Sequence, residues 1–216
     1  VNVSSVESEP RRLRADAERN RRRLLDSAAE LFAAKGLGVG LDEIARHAGV
    51  GVGTVYRRFP DKDALIDGLF EDRIEELAQL GELALADDDA WGGLVGFMEG
   101  AVRMHAADRG LKEIVFGLAK ADHMREARAR IEPLIERLVA RAQETGELRP
   151  DLAPTDIAVL QFMLSGVADL HRPDDPEQWP RCLAIVLDGL RGPGAHELPG
   201  RALTPAELQD AVRRAK

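Results

Sequence analysis

Cysteine occurs once in 216 residues, as Cys182. That excludes an intrachain disulfide and a thiolate cluster for zinc, and it suits a reducing cytoplasm. Long apolar runs are also missing. No segment stays apolar for the roughly 18 residues that a membrane helix needs, and the arginine-rich N-terminus has no apolar leader region, so neither a span nor a secretory signal is expected. The five histidines (His47, His105, His123, His171 and His196) fall in no metal-ligand spacing. His171 with Asp174 and Asp175 makes only a weak pair. No nucleophile elbow, phosphate loop or motif-placed carboxylate pair is found, so no catalytic residue, metal or cofactor is assigned and an enzyme is not expected. Aromatics are scarce at 4%, whereas alanine, leucine, glutamate and arginine recur at helical spacing. That composition points to an all-α protein.

The most informative stretch present is Leu41–Phe59. Leu41, Ile44, Ala45 and Ala48 recur at i, i+3, i+4 and i+7, one apolar helical stripe. Gly49 supplies the left-handed backbone that ends a helix. A second amphipathic segment follows Val50, burying Val55 and Phe59 and leaving Thr54, Arg57 and Arg58 on another face. Two short helices around a tight glycine turn form a helix-turn-helix, whose second helix enters the DNA major groove.

The resemblance is closer than the generic motif. Ile44-Ala45, Ala48-Gly49-Val50, Gly53-Thr54-Val55-Tyr56, Phe59-Pro60 and Lys62-Asp63-Ala64-Leu65 resemble the DNA-binding head of the TetR family of bacterial transcriptional repressors. The preceding helix, with Leu24, Ala28, Leu31 and Phe32 at helical spacing and a stop at Lys35-Gly36, fits the same pattern. By that resemblance, Thr54, Arg57 and Arg58 face base edges, while Tyr56 and Lys62 hold phosphates. An arginine can bridge guanine O6 and N7, and a threonine can meet the thymine methyl. The chain departs from the family at Gly40 and Gly51, where helix-starting hydroxyls are common, and at Val52, where a polar or basic residue is common. A glycine cap costs only a few tenths of a kcal/mol, and the bare amide of Gly51 can still face a phosphate oxygen. Gly51 and Val52 therefore stay on the expected DNA face.

Charge divides along the same line. Residues 1–60 carry 11 Lys/Arg against 8 Asp/Glu, and residues 61–216 carry 19 against 30. A basic head attracts phosphate, and an acidic body discourages non-specific wrapping. Arg11, Arg12, Arg14, Arg19, Arg21, Arg22 and Arg23 crowd the first helix, and Arg21 is the cluster's candidate DNA contact.

The body reads as further helices. One starts near Asp61 and continues toward Ala86; Asp87-Asp-Asp89 breaks it and starts the next, on which Trp91, Leu94, Val95, Met98, Val102 and His105 share a face. A shorter helix is expected over Leu111–Leu118. Another, marked by Ile131, Leu134, Ile135, Leu138, Val139 and Ala142, ends near Gly146, and Pro133 predicts a kink or an earlier break in it. Between Ile157 and Leu170 only Gln161, Ser165 and Asp169 are polar; spaced by four, they are either a polar pocket wall or, more plainly, a solvated face. After Arg172-Pro-Asp-Asp-Pro176 comes a helix with Trp179, Cys182, Leu183, Val186, Leu187 and Leu190 on one stripe. The resemblance implies that these last two helices pair with their symmetry mates, giving Leu160, Leu164, Val167, Leu183, Val186, Leu187 and Leu190 as the dimer interface. Thr204-Pro-Ala-Glu207 predicts a capped, short, loosely held tail helix.

The expected organisation is a three-helix DNA-binding head at 11–60, a larger helical-bundle body for ligand binding and dimerisation at 61–192, and a tail at 193–216. The resemblance also implies a small-molecule effector among the body helices, whose candidate lining is Phe97, Met98, Met104, His105, Phe116, Met124, Phe162 and Asp169. Methionines and aromatics at helical spacing equally suit a plain core. The function expected is a homodimeric repressor on a palindromic duplex operator, released by its effector. The competing reading is a dimeric ligand-binding or protein-interaction module whose head has lost DNA binding.

Overall fold

Glycines and acidic breaks divide the chain into helices. The computed structural model describes residues 8–107, 121–169, 178–192 and 196–214, and among these residues the regular structure is nine helices. They are α1 (Ser8–Lys35), α2 (Leu41–Ala48), α3 (Val52–Arg58), α4 (Lys62–Ala86), α5 (Ala90–Ala107), α6 (Ala121–Glu144), α7 (Pro154–Asp169), α8 (Gln178–Leu190) and α9 (Pro205–Arg214). The all-α class is as expected. The segments expected at Leu111–Leu118 and Arg172–Pro176 lie outside the described residues. None of the described helices is long and apolar enough to cross a membrane.

The chain forms two compact units, Val1–Phe70 and Glu71–Lys216. In the first, α1 packs on α2 and α2 on α3. Leu24, Leu25, Phe32, Ile44, Val55 and Leu65 are buried there. Burying a side chain of this size contributes about 1.5–3 kcal/mol. This unit takes in the opening turns of α4, where Ile66, Leu69 and Phe70 are also buried. At Gly68 a Cβ would stand 2.9 Å from the Phe59 ring. Bare backbone there lets the ring lie against the helix.

In the second unit, α5 is the central helix, packed on α6, α7 and α8. Trp91, Leu94, Phe97, Met98 and Val102 supply its buried face. The carbonyls that end α4 accept hydrogen bonds from Arg141 of α6, at 2.6 Å to Leu85 O and 2.7 Å to Asp87 O. These are the orphan groups of a helix C-terminus, and a guanidinium suits them in both geometry and charge.

Of the kink or earlier break expected at Pro133, the break does not occur, and α6 continues through it as one helix. The ring is exposed, and buried neighbours on both sides (Ile131, Leu134 and Leu138) hold the helix together despite the missing donor. The polar stripe on α7 is not a solvated face. Ser165 is only 2% exposed and donates to Phe162 O, while the Gln161 Nε2 donates to Met98 O of α5 at 3.1 Å. Gln161 Oε1 is buried without a partner among the described residues. The side chain of Asp169 lies outside the described residues.

The tail is strapped to the body. Arg149, buried between α6 and α7, grips Asp151 with two nitrogens, at 2.6 and 3.0 Å. It also donates to Gly189 O and to His196 O. Asp151 in turn accepts the Leu198 N–H at 2.8 Å. The guanidinium holds the Asp151 carboxyl down at about 2, helped by that amide. Thr155 Oγ1 donates to Leu203 O, and α9 packs on α7. α9 begins with the expected capping box. The Glu207 N–H bonds to Thr204 Oγ1, and the Glu207 carboxylate reaches back to the Thr204 N–H while Arg201 holds it from outside.

Candidate nucleic-acid interface

The short helix α3 is held by two side chains. Val55 and Phe59 are buried, and the rest of its circumference is turned out. Gly49 makes this possible. Its φ of 65° closes α2, and the Val50 N–H bonds back to Ala45 O, so the chain reverses within three residues. Neither Gly40 before α2 nor Gly51 before α3 makes a side-chain cap. Each helix starts on the glycine carbonyl alone, with Gly51 O accepting the Thr54 N–H at 2.8 Å.

Val52 is 40% and Tyr56 47% exposed, one turn apart on α3. Arg57 and Arg58 are exposed beside them. Arg57 Nη2 donates to Thr54 Oγ1 at 3.2 Å, so the hydroxyl orients the guanidinium. Arg58 Nη2 stands 4.0 Å from Glu18 Oε2 of α1, and the other oxygen of that carboxylate lies 3.8 Å from Arg21 Nη1. The Asp42 carboxylate of α2, as an acceptor for the hydroxyl and as a nearby charge, raises the Tyr56 pKa. Lys62 Nζ sits 5.5 Å over the Phe32 ring at the start of α4. α1 and α2 are joined at their far ends by Lys35 to Glu43 at 2.5 Å and His47 to Glu30 at 2.8 Å. Lys35 thereby lowers the Glu43 pKa.

Gly51, Val52, Thr54, Tyr56, Arg57 and Arg58 thus share one short helix and its start, with Lys62 following and Arg21 tied to Arg58 through Glu18. Reading the chain for cations missed Glu18 and Asp42. The i, i+3 spacing of Glu18 and Arg21 is visible in sequence. The approach of α1 and α2 to α3 is not. Side chains before residue 16, including Arg11, Arg12 and Arg14, lie outside the described residues.

Of the eight effector candidates, four have described side chains. Phe97 and Met98 are buried core, Met104 is half-buried, and Phe162 is 43% exposed. Phe116 and the side chains of His105, Met124 and Asp169 lie outside the described residues. A groove of about 500 Å³ does exist, lined by Glu75, Ala78, Gln79, Glu82, Leu83, Arg130 and Leu134 of α4 and α6. It contains none of the eight candidates. No group of three or more metal-ligating side chains occurs among the described residues.

The dimer candidates lie largely against their own chain. Leu164, Leu183 and Leu190 are buried within their own chain, and Leu160, Val186 and Leu187 pack against the same core, while Val167 is half-buried. The large apolar side chains that α7 and α8 leave uncovered are Phe162, Met163 at 58% and Ile185 at 62%. The apolar stripe of α8 marks the face that its own body covers.

Comparison with known proteins agrees with this architecture at both ends of the chain. Residues 24–69 match the family model for bacterial regulatory proteins of the tetR family, and residues 89–192 match the model for the C-terminal domain of SbtR-like transcriptional regulators. A TetR transcription regulatory protein from Mycobacterium vanbaalenii is 39% identical, over 83% of this chain and 99% of that one, with a TM-score of 0.66. A TetR transcriptional regulator from Streptomyces coelicolor is 29% identical over 81% and 99%, also at 0.66. The HTH-type transcriptional regulator SrpR of Pseudomonas putida is 29% identical over 73% of this chain and 77% of its own length.

Proposed function

The chain belongs to the TetR family of bacterial transcriptional regulators, and from that premise we propose that it is a repressor that binds a palindromic operator as a homodimer and leaves it when a small molecule binds the body. The observation that carries the reading is the outer face of α3. A helix anchored by Val55 and Phe59 turns Val52, Thr54, Tyr56, Arg57 and Arg58 outward. In the groove, Arg57 and Arg58 offer forks for guanine, and Thr54 and Val52 offer methyl contact with thymine. Gly51, Tyr56, Lys62 and Arg21 fix register on the phosphates.

One head reaches one half-site. Two heads must stand about 34–36 Å apart to meet successive major grooves, which requires a dimer. Phe162, Met163 and Ile185 on α7 and α8 supply apolar surface for it. An effector acts only by favouring one of two head arrangements. The α5–α7 seam supports its placement there, since the partnerless Gln161 Oε1 would gain from an incoming N–H or O–H donor among apolar neighbours.

The test is selection of bound sequences from a random duplex pool at near-physiological salt. Enrichment of an imperfect palindrome with half-sites one helical turn apart is the expected result. Recovery of no enriched sequence overturns the repressor reading and leaves a ligand-binding or protein-interaction module with an inactive head.

A further inference from the structure

One carboxylate beside the proposed DNA-reading face contributes nothing to a core. Glu18 is well exposed on α1 and stands between the guanidiniums of Arg21 and Arg58, at 3.8 and 4.0 Å. Both guanidiniums belong to side chains that the preceding reading assigns to DNA. A DNA oxygen that accepts from Arg58 draws it from Glu18.

We infer that Glu18 is an internal counter-anion of the recognition surface, holding Arg58 in the free protein and giving it up to DNA on binding. The inference rests on the DNA-binding reading and adds a regulating term to it. Association with DNA is driven largely by release of cations condensed on the phosphates. When DNA displaces a carboxylate from a guanidinium, the freed carboxylate gathers a cation from solution, which cancels part of that release. The pair therefore lowers affinity for every duplex and flattens its dependence on salt.

The test uses the full-length protein and a labelled duplex of random sequence, because the exchange needs no particular base. Binding is measured from low to moderate salt for wild type and Glu18→Gln. The substitution should tighten binding at low salt by up to about fivefold, the range of an exposed ion pair. Glu18→Gln should also steepen the slope of log K against log salt by up to about 1, so that the gain fades as salt rises. In an Arg58→Ala background the gain from Glu18→Gln should shrink, which assigns it to the pair. Asp26→Asn makes the same charge change about two turns along α1, and an equal gain there would overturn the inference in favour of net charge. Weaker binding by Glu18→Gln would overturn it too, making Glu18 a positioning residue for Arg58 in the complex. Unchanged affinity and slope in Glu18→Gln, with wild type binding well, sinks the counter-anion role and leaves the repressor reading intact. Absence of duplex binding by wild type and Glu18→Gln sinks the two together.

Discussion

The recognition helix α3 and the tail helix α9 are both short and exposed on one side, and they handle their polar groups in opposite ways. α9 closes its polar groups on themselves. Thr204 and Glu207 cap one another and Arg201 clamps the carboxylate, so its start is satisfied within the chain. α3 starts on a bare glycine, and its exposed polar side chains meet only a hydroxyl or the carboxylates of neighbouring helices, one of them at 4.0 Å. The difference separates holding from reading. Groups meant to hold a helix are already saturated, whereas groups meant to meet a partner stay within reach of exchange.

Exchanging the roles of the two helices tests that contrast. The largest effect is expected at Arg57. Arg57→Ala should weaken operator binding by about 1–3 kcal/mol, the worth of a bidentate base contact, with the thermal midpoint unchanged. Equal operator affinity in a binding titration would remove Arg57 from the readout. Thr204→Ala should do the converse. It removes a cap worth about 1 kcal/mol, raising amide exchange across α9 while operator affinity stays the same.

Acid should separate the regions next. The Glu207 carboxyl lies at about 2 against an ordinary 4.5, held down by Arg201 and then by Thr204, and Asp151 lies at about 2 against 3.8. A depressed carboxyl stabilises the fold fully above its unfolded pKa and loses that contribution as protons bind. The tail straps should therefore hold above about pH 4.5 and loosen progressively toward pH 2. Protease susceptibility in the segment around 196–214 reads this directly, and constant susceptibility over that window would contradict it. The smallest effect is expected at Gly51→Ser, which supplies the missing cap hydroxyl and should raise stability by only a few tenths of a kcal/mol. A gain of a full kcal/mol would mean that the glycine start is strained.

How much of this was legible in sequence follows from what local spacing can encode. The head was readable almost residue by residue, because a helix, a glycine turn and a second helix fix their mutual placement within about twenty residues, and Val55, Phe59 and Gly49 do what their spacing predicts. In the body, helix positions were readable and their facing was not. α7 is apolar nearly all round, so its pattern has no phase. The rare polar residues Gln161 and Ser165 then looked like the wet side when they face α5. The interface at Leu164 and Leu183 follows from the resemblance and not from this pattern; their own chain covers both, while Met163 and Ile185 stay exposed. Contacts between distant segments leave no local trace at all. The Arg191 guanidinium lies 4.0 Å over the Trp91 ring, and no spacing rule connects residues so far apart.

Arg149 also sets an order of events during synthesis. Its partners arrive in sequence: Asp151 almost at once, Gly189 some forty residues later and His196 later still. While the chain is being made, the guanidinium that will be buried has one carboxylate and water. It acquires its remaining acceptors only once α8 and the residues after it have been made. The fastening at Arg149 is therefore completed from far downstream, and a chain cut short before residue 196 would leave that arginine without one of its acceptors.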